Sequence, residues 1–490
     1  MVLRSVAVGR SLLAWLGRLS GGHWPFAGKY QVGLRQRRFW GALAIACFAT
    51  SLGTAPVLSA QTEQIAFPGA EGYGRLSQGG RGGAIVFVDN LNDAGPGSLR
   101  DCAESQGPRN CVFRVGGIIH LKTQIAVLEP NSYLSILGQT APGGGILISI
   151  DQVDAKRSSF TPLVVKDAHD VIIRHIRLRP QLPNWVKNVD ALTIESSSRV
   201  YVDHVSGSWA TDENFNSHAN TTDLTVSHSL FGEGLNKHSK CALLGSDPRI
   251  PQNITFWKNA CVSNRDRNPD DNHYGGSCID IINNVFFNAR SEWGEIFSQY
   301  PGGTPISYVG NFFKAGPSTE DTTYAINWND TATVAAPQIY QVDNQIWSPK
   351  SKNVVLIAPD TTQYLVSKPP CPLSVSTIIS ARDAYDDVRR TAGAFPRDAF
   401  DTGLMQDMGA IDEHGKGQMI RKPRDLPPIE GGTAYVDDDR DGIADSMEAT
   451  VGAKPGVSDP WEDSDGDGWA NFDQFMAQLE KDRLAGKYPQ

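Results

Sequence analysis

From about Val171 a short unit recurs along the chain: VIIRHIRL, then VYVDHVSG from Val200, LTVSHSLF from Leu224, ITFWKNAC from Ile254, IDIINNVF from Ile279 and ISYVGNFF from Ile306. The starts lie 29, 24, 30, 25 and 27 residues apart. Within each unit apolar residues alternate, and a His or Asn stands four or five places after the start. That pattern suits a short strand followed by a bend whose polar side chain bonds backbone. A strand this short cannot bury a face alone, so the units must stack on one another. The expected fold is all-β, a parallel β-solenoid whose irregular loops absorb the uneven steps. Asn259, Asn284 and Asn311 share the sixth place of their units and are expected to form a ladder inside one corner.

The chain of 490 residues has room for one large domain and something smaller, and 48 Gly with 29 Pro favour turns over a helical bundle. Residues 1–60 carry seven basic side chains and no acid, followed by the apolar run FWGALAIACFATSLG and then PVLSA, a secretory leader pattern. The apolar run is too short for a membrane span, so an exported protein is expected, extracellular or periplasmic. Without the leader, 38 basic residues (45 minus 7) face 54 acidic ones. That balance makes nucleic acid an unsuitable partner, and a monomer is expected. Six cysteines remain beyond Cys47, an even number that suits disulfides in an exported protein; Cys102 with Cys111 is the most obvious pair, and the rest are left open.

After Asp360 the period is lost, and residues 381–428 read as a helix and a Pro-rich connection wrapping the solenoid. The last 60 residues hold 14 acidic and 5 basic side chains, which sets 431–490 apart from 61–430 as a separate tail. In DDDRDGIADSME, Asp437, Asp439, Asp441, Asp445 and Glu448 occupy places 1, 3, 5, 9 and 12 of a calcium loop, with Gly442 at the tight turn. In DSDGDGWANFDQ, Asp463, Asp465, Asp467 and Asn471 repeat the pattern, but Gln474 stands where a bidentate acid belongs, so weaker affinity is expected. The pair resembles the calcium repeats of thrombospondin type 3 and dockerin modules, which implies a stabilising or attachment role.

The stretches FPGAEGYG, GGRGG, LNDAGPGSLRD, LGQTAPGGGI, DALTIESSSRVYVDH, SWATDEN and SNRDRNPDDNHYGGSCIDIINN, between Phe67 and Lys314, resemble the bacterial pectate lyases of polysaccharide lyase family 1. The resemblance implies a right-handed parallel β-helix that cleaves polygalacturonate by β-elimination, with Ca²⁺ bridging enzyme and an acidic polysaccharide. It places Asp190 at an essential calcium position and Asp212 and Asn216 at two further acidic positions. Asn188 stands where a second aspartate is common, and Glu213 offers a substitute carboxylate. Lys240 matches the substrate-binding lysine, with Lys237 as its competitor, and His218 replaces another family lysine. Arg267, before Asn268-Pro269, matches the catalytic arginine. Arg265 is expected to tune charge or grip substrate.

An arginine base conflicts with a guanidinium's ordinary pKa above ~12. The family's resolution is a guanidinium beside calcium and other cations, and Lys240 and Arg265 are the neighbours expected to serve. His218, His238 and His273 are alternative bases suited to neutral pH. Two other functions compete with a lyase. One is a glycoside hydrolase using Asp190 and Asp212 as its carboxylate pair; the other is a non-catalytic glycan-binding protein, which Asn188, Asn216 and His218 at charged positions would suit.

Overall fold

The computed structural model describes residues 64–150, 160–183, 185–235 and 238–489; the leader and Lys237 lie outside the described residues. Among the described residues all the strand pairs are parallel, and they build one ten-stranded sheet (sheet A) and two nine-stranded sheets (B and C) wound as a right-handed β-helix. After the first sheet A strand, Ala84–Val88, each coil contributes one strand to each sheet in the order A, B, C. The six unit starts stack in sheet A in a single register: Val171 opposite Val200, then Leu224, Ile254, Ile279 and Ile306. The repeat extends beyond the six units, to Leu134 before Val171 and to Ile339 after Ile306. Earlier coils escape the pattern because the helix α1 (Leu99–Ala103) and the glycine-rich loops interrupt them.

Alternation puts Val171, Val200, Leu224 and Ile254 inside, fully buried. Each such side chain contributes about 1.5–3 kcal/mol relative to exposure. The bend from sheet A to sheet B falls on the fifth place of the unit, and there His175, His204, His228, Lys258, Asn283 and Gly310 all have positive φ between 45° and 61°. The next residue turns inward. Asn259, Asn284 and Asn311 form the expected ladder, which continues to Asn344. Each backbone N–H donates to the next Asn Oδ1 at 2.8–3.0 Å, and each side-chain Nδ2 donates to the same oxygen at 2.9–3.1 Å. The ladder satisfies bend amides that would each cost about 1–3 kcal/mol if buried unpaired.

Cys102 pairs with Cys111, Cys241 with Cys261 and Cys278 with Cys371. The second bridge ties the sheet C strand Lys240–Gly245 to the sheet B strand Ala260–Val262. Residues 381–407 form two helices where the sequence suggested one, α2 (Ala381–Thr391) and α3 (Ala399–Asp407). Ala381, Tyr385 and Val388 of α2 and Leu404 and Met405 of α3 cover Leu230, Ala260, Val285 and Phe312 on the outside of sheet B.

Composition sets residues 431–490 apart, but packing joins them to the solenoid. Tyr435, Ile443, Phe472 and Phe475 share one cluster with Val112 and Leu137, next to sheet A. The helix α4 (Asn471–Leu484) adds ion pairs from Asp473 to Arg81 and from Glu480 to Arg174. Among the described residues, no helix is long and apolar enough to cross a membrane.

Candidate active site

Sheet C brings the chemistry to one edge. Glu213 opens the strand Glu213–His218, and it pairs with Lys240, which opens the next strand. Asp190 precedes the strand Leu192–Glu195 and is level with Glu213, whose backbone N–H donates to Asp190 Oδ1 at 3.1 Å. On the far side, Lys240 bridges to Asp266, so Arg267 arrives one coil later. Consecutive coils thus deliver Asp190, Glu213, Lys240 and Arg267 at steps of about 4.8 Å, the spacing of neighbouring strands.

Asp190, Asp212 and Glu213 each place a carboxylate oxygen within 4.8 Å of the other two. Asp190 Oδ2 accepts from Thr193 Oγ1 at 2.7 Å and from Asn216 Nδ2 at 2.8 Å. Those bonds leave Asn216 Oδ1 buried without a partner. Lys240 Nζ donates to Asp212 Oδ1 at 3.1 Å and is 3.4 Å from Glu213 Oε1. Arg267 Nη1 donates to that same Glu213 oxygen at 2.6 Å, while its Nε is 3.0 Å from Asp270 Oδ2. Arg267 itself has φ 52°, the left-handed conformation that turns the chain into the site.

Burial sets the electrostatics. It pushes Glu213 up to about 8, with the charges of Asp190 and Asp212 adding to the effect against Arg267 and Lys240. Asp190 is raised by burial, and Asp270 is pushed by burial to about 7. For Arg267 burial works against the charge, yet Asp270 and Glu213 overcome it and hold the guanidinium above its ordinary value. The expected cationic surroundings are therefore only half present: Lys240 shares Glu213 with Arg267, but Arg265 turns to Asp266 at 3.6 Å, its side chain 38% exposed.

The other sequence candidates scatter. His218 lies at the far end of its strand from Glu213, about 16 Å along at 3.3 Å per residue, where it faces Glu195 at 3.6 Å. Asn188 is exposed two residues before Asp190. His238 touches the cluster's rim, 3.5 Å from Asp212. His273 is fully buried between Gln252 and Asp271 and has a structural role.

No protein-family model matches the chain. A curated protein of Aspergillus flavus named probable pectate lyase C is 32% identical over 421 residues, covering 83% of this chain and 93% of its own. The chain belongs to the pectate lyase family. A probable pectate lyase C of Emericella nidulans is 31% identical over 439 residues, covering 86% of this chain and 96% of its own. Both relatives are fungal, so the family likeness holds without the bacterial qualifier. Among solved structures, the cedar pollen allergen Jun a 1 superimposes with a TM-score of 0.50 at 17% identity, over 66% of this chain and 92% of its own, a likeness of fold alone.

Within this pectate lyase scaffold, Asp270 and Glu295 are the residues that sequence reasoning missed. Asp270 holds Arg267, and Glu295 lies opposite Asp270 on the next coil, pushed up to about 10 by burial and by Glu292. The available signal was spacing, because Asp270 stands three residues after Arg267 at the head of a strand.

Proposed function

We propose that this chain cleaves polygalacturonate or a related uronate polymer by β-elimination, with calcium held between the protein and the uronate carboxylate. The observation that carries the reading is the meeting of Arg267 and Lys240 on one oxygen of Glu213, inside the three-carboxylate cluster on one edge of sheet C. The donor set fits a hard cation: Asp190, Asp212 and Glu213 supply carboxylates, and the orphaned Asn216 Oδ1 supplies a neutral oxygen. Calcium bound there would draw electron density from a uronate carboxylate and make the neighbouring C5 proton more acidic.

The chain's own residues supply the rest. Lys240 Nζ holds a second negative charge, the substrate carboxylate, as a point charge. Arg267 accepts the C5 proton, the C5–H electrons become the C4=C5 double bond, and the C4–O bond breaks toward the leaving sugar, whose oxygen takes up a proton from solvent water. Arg267 must be neutral to accept that proton, and Glu213 and Asp270 hold it charged. Alkaline operation, with Glu213 drawn into the carboxylate cluster, follows from that conflict. Asn188, Arg265 and His218 are proposed as outer substrate contacts.

In the tail, both Asp439 oxygens, Asp441 Oδ2 and Glu448 Oε1 are buried without partners beside Asp437, which supports calcium in the first loop. The second loop is exposed, and Gln474 donates to Asp465 at 3.1 Å in place of a carboxylate. Six paired cysteines support an exported protein.

The test is new ultraviolet absorbance from unsaturated ends when the chain meets polygalacturonate and calcium at alkaline pH. Arg267→Ala is expected to lower turnover by about 100- to 10,000-fold. Reducing ends without the double bond would indicate hydrolysis, and binding without turnover would indicate a glycan-binding protein.

A further inference from the structure

Helices α2 and α3 flank an open surface cleft of ≈ 330 Å³ over Met405, lined by Arg389, Arg390 and Arg397 with Asp386, Thr402 and Gln406. The formal charge of the whole chain is -9, so three guanidiniums lining one cleft beside two carboxylates, Asp386 and Asp387, stand out. Helix termination explains part of the cluster, since cations favour the last turn of a helix. Arg397 closes the end of α2, donating from Nε and Nη2 to Ala392 O and from Nη1 to Arg389 O. Arg390 pairs with Asp387 at 2.6 Å, but its side chain is 74% exposed.

Arg389 shares that last turn of α2, but among the described residues its guanidinium makes no ion pair or hydrogen bond there. Its guanidinium lies 5.7 Å from the centroid of the Tyr385 ring, and its Nε is buried with no hydrogen-bond partner. A buried donor left unmade is costly. Its terminal guanidinium nitrogens, beside two more guanidiniums at the cleft, suit an acceptor of negative charge. Arginine forks match planar carboxylates, the neighbouring Thr402 and Gln406 suit hydroxyl groups, and the volume lies at the lower end of small-ligand sites, about 300–1,000 Å³.

We propose that this cleft is a second uronate-binding site, in which Arg389 and Arg390 take a sugar carboxylate and Thr402 and Gln406 its hydroxyls. It shares no residue with the sheet C edge and lies on the helices that cover sheet B. The site tethers long polymer chains while the groove works on another segment. Its choice of ligand rests on the substrate class proposed above.

The experiment is electrophoresis of the full chain through gels containing polygalacturonate and a calcium chelator, which suppresses calcium-bridged binding in the groove. Wild type is expected to be retarded, and Arg389→Gln/Arg390→Gln to need about tenfold more polymer for the same retardation, the equivalent of one charge-assisted contact. Arg397 stays untouched because it caps α2. Equal retardation of the two proteins, or none of either, overturns the proposal. Release of wild type by inorganic phosphate as readily as by trigalacturonate overturns the sugar assignment in favour of a general anion site. The double variant should turn over trigalacturonate at the wild-type rate. If its melting curve shows misfolding, Thr402→Val/Gln406→Ala replaces it under the same criteria. Failure of wild type to form unsaturated product would sink the lyase reading and leave the retardation comparison intact.

Discussion

The groove and the first tail loop each gather three carboxylates, but they balance that charge in opposite ways. In the groove, Lys240 and Arg267 sit on the acids at 2.6–3.4 Å, and Asn216 Oδ1 and Asp266 Oδ1 are buried oxygens left over. In the tail, the nearest cation is Arg114, 3.6 Å from Asp437, and four carboxylate oxygens of Asp439, Asp441 and Glu448 are buried and unpartnered. The tail loop leaves its acids largely unpaired by protein cations, which suits the calcium site proposed for it. The groove's three carboxylates are only partly offset by Lys240 and Arg267, so under the proposed function the negative charge of a substrate helps to draw the metal in.

The largest expected effect separates the two sites by activity. Glu213→Ala should cut turnover by about 100- to 1,000-fold, as loss of a preorganised electrostatic group does, whereas Asp441→Ala should leave it within about twofold of wild type. Initial rates of unsaturated product decide it. A collapse in both would mean the tail is part of the catalytic machinery.

Stability should show the reverse. Calcium at 100 times its dissociation constant adds about 2.7 kcal/mol to the state that binds it. Asp441→Ala should lose most of that increment in a calcium-dependent melting curve. Glu213→Ala should keep it.

The two sites should also part on a pH axis. An ion must displace the proton from a carboxyl whose pKa is raised, so affinity falls as pH drops below that value, by up to about tenfold per unit for one proton. For the groove the fall begins near Glu213's value of about 8, and for the tail near Asp441's value of about 7, which burial sets. Calcium titrations with and without oligouronate check the order. A tail that loses calcium first would reverse the comparison.

The smallest effect lies in the second loop. Gln474→Glu removes the donor that Asp465 uses and adds a negative charge. It should raise calcium affinity about threefold, since affinity follows ligand charge, and lower stability slightly in chelator.

The solenoid was legible because its coils repeat a pattern that burial enforces; the starts from Val171 to Ile306 fall in one register, and the ladder sits where the sixth place put it. Of the groups that meet at the sheet C edge, the sequence singled out those that a motif marked, Asp190, Asp212, Lys240 and Arg267. Motif spacing said nothing of which way Arg265 would turn, because its partner Asp266 is a neighbour in sequence whose orientation is set by the bridge to Lys240. It also undervalued Glu213. That residue gains its place from pairing with Lys240 across a loop whose length varies from coil to coil. The tail's attachment was hidden because its contacts, such as Phe472 with Val112, join segments more than 300 residues apart.

The strict register of the sheets makes the molecule a ruler with fixed graduations. Asp190, Glu213, Lys240 and Asp266 belong to consecutive coils, so the distance between any two of them changes only in whole strokes of about 4.8 Å. Lengthening a loop between coils leaves every graduation where it was. Inserting or deleting a complete coil moves Arg267 a full stroke from the carboxylates and disengages the site at once. Evolution of such a chain can therefore elaborate its loops freely while the count of coils between Asp190 and Arg267 stays an integer it cannot change.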